Sequence, residues 1–149
     1  MEYDIRRIDN QTAIAFLKAS HVSKTDLFIR AYDVWYASYV NGKIVCVNGA
    51  TDKGKYVSTG GWFTLPEYRR QGHGTATKTR LLADFPGRAI QTFSRPIAAD
   101  IEEKHFGFTR GRSFSNGTVY MSRPGTANKN ITYEKPVDWE AIKKWRDIL

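Results

Sequence analysis

Residues 56–78, YVSTGGWFTLPEYRRQGHGTATK, constrain the fold more than any other stretch of the chain. Val57, Thr59, Trp62 and Phe63 favour a strand. Within it Gly60 and Gly61 stand side by side, which a strand interior tolerates at a bulge or where something must approach the backbone closely. Pro66 then turns the chain, and Gly72 and Gly74 lead directly into a helix-forming run. Successive backbone N–H groups at the start of a helix, reached over glycines, make an anion site that depends on no particular side chain. A strand, a phosphate-binding loop and a helix must therefore follow one another without interruption.

Two familiar nucleotide loops do not fit. A dinucleotide fingerprint needs Gly-x-Gly-x-x-Gly after a parallel strand, but Gly72-His73-Gly74 is followed by Thr75, Ala76 and Thr77 and comes after several antiparallel strands. A Walker loop needs glycine immediately before its lysine, and Lys78 follows Thr77.

The rest of the chain supplies a setting for this unit. Residues 2–8 alternate like a strand, and Asn10 offers a cap for the helical run 11–20, where Ile14, Phe16 and Leu17 share a face. Two strands, 33–39 and 43–50, flank Asn41-Gly42, a strong hairpin signal. After the loop, a helix over 75–85 stops at Pro86-Gly87, a short strand covers 88–94, and a second helix runs from Pro96 to a stop at Gly107. Strands 108–114 and 117–123 close a last hairpin around Ser115-Asn116-Gly117. Aromatic residues Tyr32, Trp35 and Tyr36 read as core.

With 149 residues the chain suits one domain. No apolar run approaches the roughly 20 residues of a membrane span, and the N-terminus lacks a signal-peptide core. A cytoplasmic protein without a membrane partner is expected. Cys46 is the only cysteine, which excludes an intrachain disulfide and a cysteine zinc site and leaves a buried structural thiol; no metal is expected. The net charge of +8 predicts an anionic partner, whether a phosphorylated cofactor, nucleic acid or an acidic protein face.

Gln71-x-x-Gly74-x-Ala76, following a strand and the turn Leu65-Pro66-Glu67-Tyr68-Arg69, resembles the cofactor motif of the GCN5-related N-acetyltransferases. The order of elements over 3–123 fits that family, and Ala99, Gly107 and Phe108 resemble its later Ala…Gly-Phe element. The resemblance implies an α/β (α+β) fold whose mixed, mostly antiparallel sheet splays at the motif strand. It makes residues 1–123 the acyltransferase domain. Residues 124–149 form an extension whose amphipathic run, with Val137, Ala141, Trp145, Ile148 and Leu149 on one face, is expected to dock on that domain.

The resemblance also assigns the donor site. Acetyl-CoA, or another acyl-CoA, would rest its pyrophosphate on the amides of Gln71, Gly72, His73, Gly74, Thr75 and Ala76, with Arg69, Arg70 and Lys78 adding charge. Its pantetheine arm would follow Trp62, Phe63 and Thr64, and a backbone N–H near Phe63 would stabilise the oxyanion. The implied activity is direct acyl transfer to an amine, with acceptor, acyl chain and oligomeric state left open.

Proton transfer is where the chain departs from the family. The family's tyrosine acid corresponds to Glu103, and its asparagine to Pro96. Glu103 serves only if burial keeps it protonated. His105 and Ser94 are the nearby alternatives. A second, shorter resemblance, to Mom-like phage DNA-modification proteins, rests on ASHVSKTD: His21 and Ser23 match, with Val22 in place of tyrosine. It implies an adenine acceptor lined by His21, Ser23 and Asp26 and a nucleic-acid partner, against the plainer reading of His21 as a helix end. A non-catalytic acyl-CoA-binding or protein-interaction module is the third alternative.

Overall fold

The computed structural model describes residues 2–20 and 29–126. His21, Ser23, Asp26 and the amphipathic C-terminal run lie outside the described residues, as does most of the extension expected after residue 123.

Seven strands form one sheet in the order β1-β2-β3-β4-β5-β7-β6. β1 (Asp4–Ile8), β2 (Val34–Val40), β3 (Lys43–Asp52) and β4 (Val57–Thr64) are successive antiparallel neighbours. Asn41 and Gly42 both take left-handed conformations (φ 50° and 77°), so the β2–β3 connection is the two-residue turn that Asn-Gly favours. β5 (Ile90–Ser94) lies parallel to β4, and β7 (Val119–Arg123) and β6 (Thr109–Ser113) complete the sheet in antiparallel fashion.

Each face of the sheet has its own core. On one side α1 (Asn10–Ala19) buries Ala13 and Leu17, one helical turn apart, against Trp35, Ala37 and Val47. On the other side α2 (His73–Ala83) contributes Leu81 and Leu82, and α3 (Pro96–His105) contributes Ala99; these pack on Tyr36, Ala50, Val57, Ile90 and Met121. Trp35 and Tyr36 of β2 are buried, and so is Tyr32, two residues before that strand.

The first helix is capped by a different residue from the one the sequence suggests. Asp9 is the N-cap, its carboxylate accepting from Thr12 N at 2.7 Å. Asn10 is drawn into the core instead, where its Oδ1 accepts from Tyr32 N and Trp35 Nε1, both at 2.9 Å. Both residue types cap well; the unpaired indole and amide decide between them.

β4 and β5 stay in register only where residues 57–59 meet 90–92. Beyond Thr59, β4 runs on to Thr64 and β5 to Ser94 without pairing to one another, so the sheet opens between them. A bulge starts the opening: Val47 and Gly49 of β3 face Phe63 and Gly60, so two steps on β3 span three on β4. Gly61 sits there at φ 64°. A Cβ at Gly61 would come within 2.5 Å of the Trp35 ring, and one at Gly60 within 2.0 Å of the Tyr32 hydroxyl. The close approach that the glycine pair permits is thus by the protein's own aromatic rings, which meet edge to face at 5.2 Å.

Gly61→Val should therefore lose at least about 2 kcal/mol in urea unfolding, from left-handed strain and overpacking together. Gly54→Ala, also left-handed but with nothing within 4 Å of its Cβ, should lose only about 1 kcal/mol. Equal losses in the two variants would show that Trp35 does not set the bulge.

Candidate active site

The loop between β4 and α2 is braced at every step. Leu65 N donates to Val45 O at 2.8 Å, after which residues 66–68 make a single 3₁₀ turn. Arg69 folds back, Nε donating to Thr64 O at 3.0 Å and its guanidinium lying 5.5 Å from the Phe63 ring centre. Arg70 and Gly72 are left-handed (φ 64° and 89°), a conformation that arginine adopts only when its surroundings hold it there. Tyr3 supplies part of that hold: its hydroxyl donates to Gln71 O at 2.5 Å and occupies the space any side chain at position 72 would need.

Gly72 is the N-cap of α2, and the first helical bond runs from Ala76 N to Gly72 O at 2.9 Å. The N–H groups of residues 72–75 are left without intrahelical partners, converging at the positive end of the helix. This narrows the cup expected over 71–76, because the Ala76 amide is already engaged.

Side chains beneath the cup act as supports. Trp62 Nε1 donates to Gly74 O at 3.0 Å, and Thr64 Oγ1 donates to Cys46 Sγ at 3.2 Å. His73 is buried, Nδ1 sharing a hydrogen bond with Ser38 Oγ at 2.7 Å, with Tyr3 and Tyr68 edge-on to its ring. Phe63 points to the opposite face, onto Phe16. Trp62, Thr64 and His73 are therefore available to a ligand through their backbone, whereas Arg69, Arg70, Gln71 and Thr75 are exposed. The Gln71 amide turns back to Glu67 O at 3.3 Å.

A sheet opened beside a helix N-terminus can be compared with known proteins. No family model matches the chain, and no curated protein matches its sequence. Solved structures do match in shape. The ribosomal-protein-S18-alanine N-acetyltransferase of Escherichia coli superposes with a TM-score of 0.64 at 16% identity, over 89% of this chain and 100% of its own. An acyl-CoA N-acyltransferase of Pseudomonas aeruginosa gives 0.66 at 14% identity, over 82% and 99%. The N-acetyltransferase YlbP of Bacillus subtilis, solved in complex with coenzyme A, gives 0.56 at 16%, over 83% and 97%. The chain has the GCN5-related N-acetyltransferase (GNAT) fold.

Within this GNAT fold Lys78 sits elsewhere than the sequence suggested, and the three candidates for proton transfer, Ser94, Glu103 and His105, lie in different surroundings. Lys78 is not on the rim: it is 1% exposed, its Nζ bonded to Glu102 Oε2 at 2.6 Å and lying 4.6 Å from the Trp62 and 5.1 Å from the Phe108 ring centres. Burial pushes the ammonium below its ordinary pKa, with Glu102 opposing that shift. Ser94 is buried as well and donates to the other oxygen of Glu102 at 2.5 Å. Glu103 faces outward, 46% exposed and 3.3 Å from Arg110 Nε, so it lacks the burial that the role of acid required of it. His105 is exposed in the last turn of α3. The buried carboxylate is Glu102. Its spacing of three from Ala99 puts it on the inward face of α3, a signal already present in the sequence.

Cys46 is buried and desolvation raises its thiol pKa, which suits packing rather than nucleophilic attack. Asn48, with both amide atoms, and the Thr59 hydroxyl are buried without a hydrogen-bond partner. Each such group costs about 1–3 kcal/mol. Among the described residues no group of three or more His, Cys, Asp or Glu is placed to hold a metal ion, and no helix is long and apolar enough to cross a membrane.

The Lys78–Glu102 pair generates a stability prediction. Lys78→Met alone should cost about 3–5 kcal/mol by stranding a buried carboxylate, and adding Glu102→Leu should recover most of it. Chemical unfolding of both variants checks this; a double variant no more stable than the single would show that the carboxylate is not stranded.

Proposed function

We propose that this protein is an acyl-CoA-dependent N-acyltransferase that passes an acyl group directly to an amine. The observation that carries the reading is the juxtaposition of the unpartnered N–H groups of residues 72–75 with the β4 edge that parts from β5 beyond Thr59. Gly72 takes the left-handed turn that brings those amides together beside Tyr3, and converging helix-terminal amides fit a pyrophosphate. The neighbours' names, two acetyltransferases and an acyltransferase, one of them holding coenzyme A, support the same reading.

In this reading the cup amides bind the pyrophosphate, and Arg69 and Arg70 place positive charge at its rim. The backbone of β4 over 60–64, free of β5, offers N–H and C=O groups to an extended arm. An amide near Phe63 stands where negative charge develops at the acyl carbonyl, and a preorganised donor there is a large catalytic contribution. Bound acyl-CoA supplies the activated thioester. The amine must arrive neutral, and Glu103, exposed and ion-paired, is no buried acid for the departing thiol. A thiolate leaves readily enough that the reading requires no dedicated acid.

The exposed Glu103 also favours a second reading, a module that binds acyl-CoA without turning it over. The acceptor separates the two. A net charge of +8 suits anionic acceptors, nucleic acid included. Mass analysis of proteins, metabolites and DNA from cells expressing the wild type or a cup variant should find an acyl mark that depends on the cup. No mark in any fraction favours the binding module.

Gly74→Glu places a carboxylate among the cup amides, with its Cβ 3.4 Å from both Trp62 Nε1 and Thr64 Oγ1. Calorimetric titration should show acetyl-CoA binding weakened at least about tenfold, with a smaller loss for Arg69→Glu. Unchanged affinity in both variants would sink the donor assignment.

A further inference from the structure

Half of the sheet face that carries α1 is buried with no described helix above it. Of the described helices α1 alone packs on this face, and among the described residues the core beneath it draws on β1 to β4 and on nothing from β5, β7 or β6. Those three strands carry an aromatic cluster of their own there. Ile90 and Ser94 of β5 turn towards α2 and α3, so Phe93, out of step with both, projects to the α1 side. Its ring centre lies 5.3 Å from that of Tyr120, its cross-strand partner on β7, and 6.3 Å from that of Phe114. Phe114 is 9% exposed, and burial pushes the Tyr120 hydroxyl above its ordinary pKa. A sheet buries one of its faces only beneath another layer, so the cluster has a cover.

One segment has the reach and the pattern to supply it. Thr126 N donates to Gly87 O at 3.1 Å, which pins the end of the described chain close to the start of β5. Residues 127–136 can span at most about 33 Å, ample to reach any part of β5 and its neighbours. The run 137–149 follows, with Val137, Ala141, Trp145, Ile148 and Leu149 on one helical face. As a helix it is about 20 Å long. The strands β5, β7 and β6, of five residues each, offer a half-face about 17 Å long and about 10 Å across. Charge agrees as well: Asp138 adjoins the apolar face of the run, and Arg112 stands beside the cluster, 5.5 Å from the Phe114 ring centre.

We infer that the apolar face of residues 137–149 packs, within the same chain, on the half-face formed by Phe93, Phe114 and Tyr120. A second copy is the lesser candidate, because the tether of this segment already starts at the same half of the sheet. The docking has a consequence for the site. Phe93 lies past Thr92, on the part of β5 that has left β4, so the docked run walls the opening on the face away from α2, across from Phe63. It does not depend on what the cup binds.

Photo-crosslinking in the full chain tests the docking. Thr109→p-benzoylphenylalanine, and separately Gln91→p-benzoylphenylalanine, place the probe beside Ser122 on the face of Tyr120. Irradiation should join a peptide from 137–149 to the probe within one chain. Cross-links between two chains would assign the face to a second copy, and cross-links that never include 137–149 would assign it to another occupant; either overturns the inference. Hydroxyl-radical footprinting gives a second arm. Phe93, Phe114 and Tyr120 should react severalfold faster in Trp145→Asp/Ile148→Asp than in the wild type, whereas Lys143→Asp, on the opposite side of the run, should leave them unchanged. Unaltered reactivity of the three rings in the double variant, with Trp35 still protected under α1, would show that the run is not their cover. Should Trp35 become reactive too, the fold has failed in that variant and the cross-link decides.

Discussion

The structure depends on one extra residue in β4. Where Gly60 to Phe63 spans a step more than its β3 partner, the strand twists away from β5 and the sheet opens. The rings of Tyr32 and Trp35 fill the space where side chains at 60 and 61 would stand, and Asn10 fixes both residues by hydrogen bonds. A helix residue, two aromatic residues and two glycines thus act together, and the opening beside the cup follows from their packing.

Opening a sheet leaves its two halves to be held by something else. Lys78 of α2 reaches Glu102 of α3, and Ser94 at the end of β5 completes the arrangement. A buried ion pair gains little net stability over apolar packing but is costly to break, which makes it a better spacer than glue. Asn48 and Thr59 also lie buried on this side, without partners, in a region that an apolar core could have filled at lower cost. Strain at Arg70 and unpaired polar atoms at Asn48 and Thr59 both occur close to the cup and the splay, in keeping with the tendency of functional sites to hold what the rest of a fold avoids.

The legibility of each feature follows the range of the interaction behind it. The Asn41-Gly42 turn, the strand before the cup and the stop at Gly107 were readable, because each is decided by backbone preferences within a few residues, whereas the glycine pair left a bulge and a close approach both open until the Tyr32 and Trp35 rings were placed. The cap was not, since Asp9 and Asn10 are equally good caps until Trp35 needs an acceptor. Nor was the fate of Lys78. One helical turn past the cup, a lysine looks like a rim charge until α3 covers it. Glu102 and Glu103 are neighbours of the same type, and only the direction of the α3 face makes one buried and the other an exposed partner of Arg110.

By itself, then, the sequence determined the elements, their order and the run of free amides at the start of α2, because periodicity, turn residues and helix-terminal amides are local properties. Tertiary structure decided which charges face solvent, which donors remain unpaired, and where the sheet parts. Those depend on residues far apart in the chain, Asn10 with Trp35 and Lys78 with Glu102, whose side chains acquire their environment only when the helices settle on the sheet.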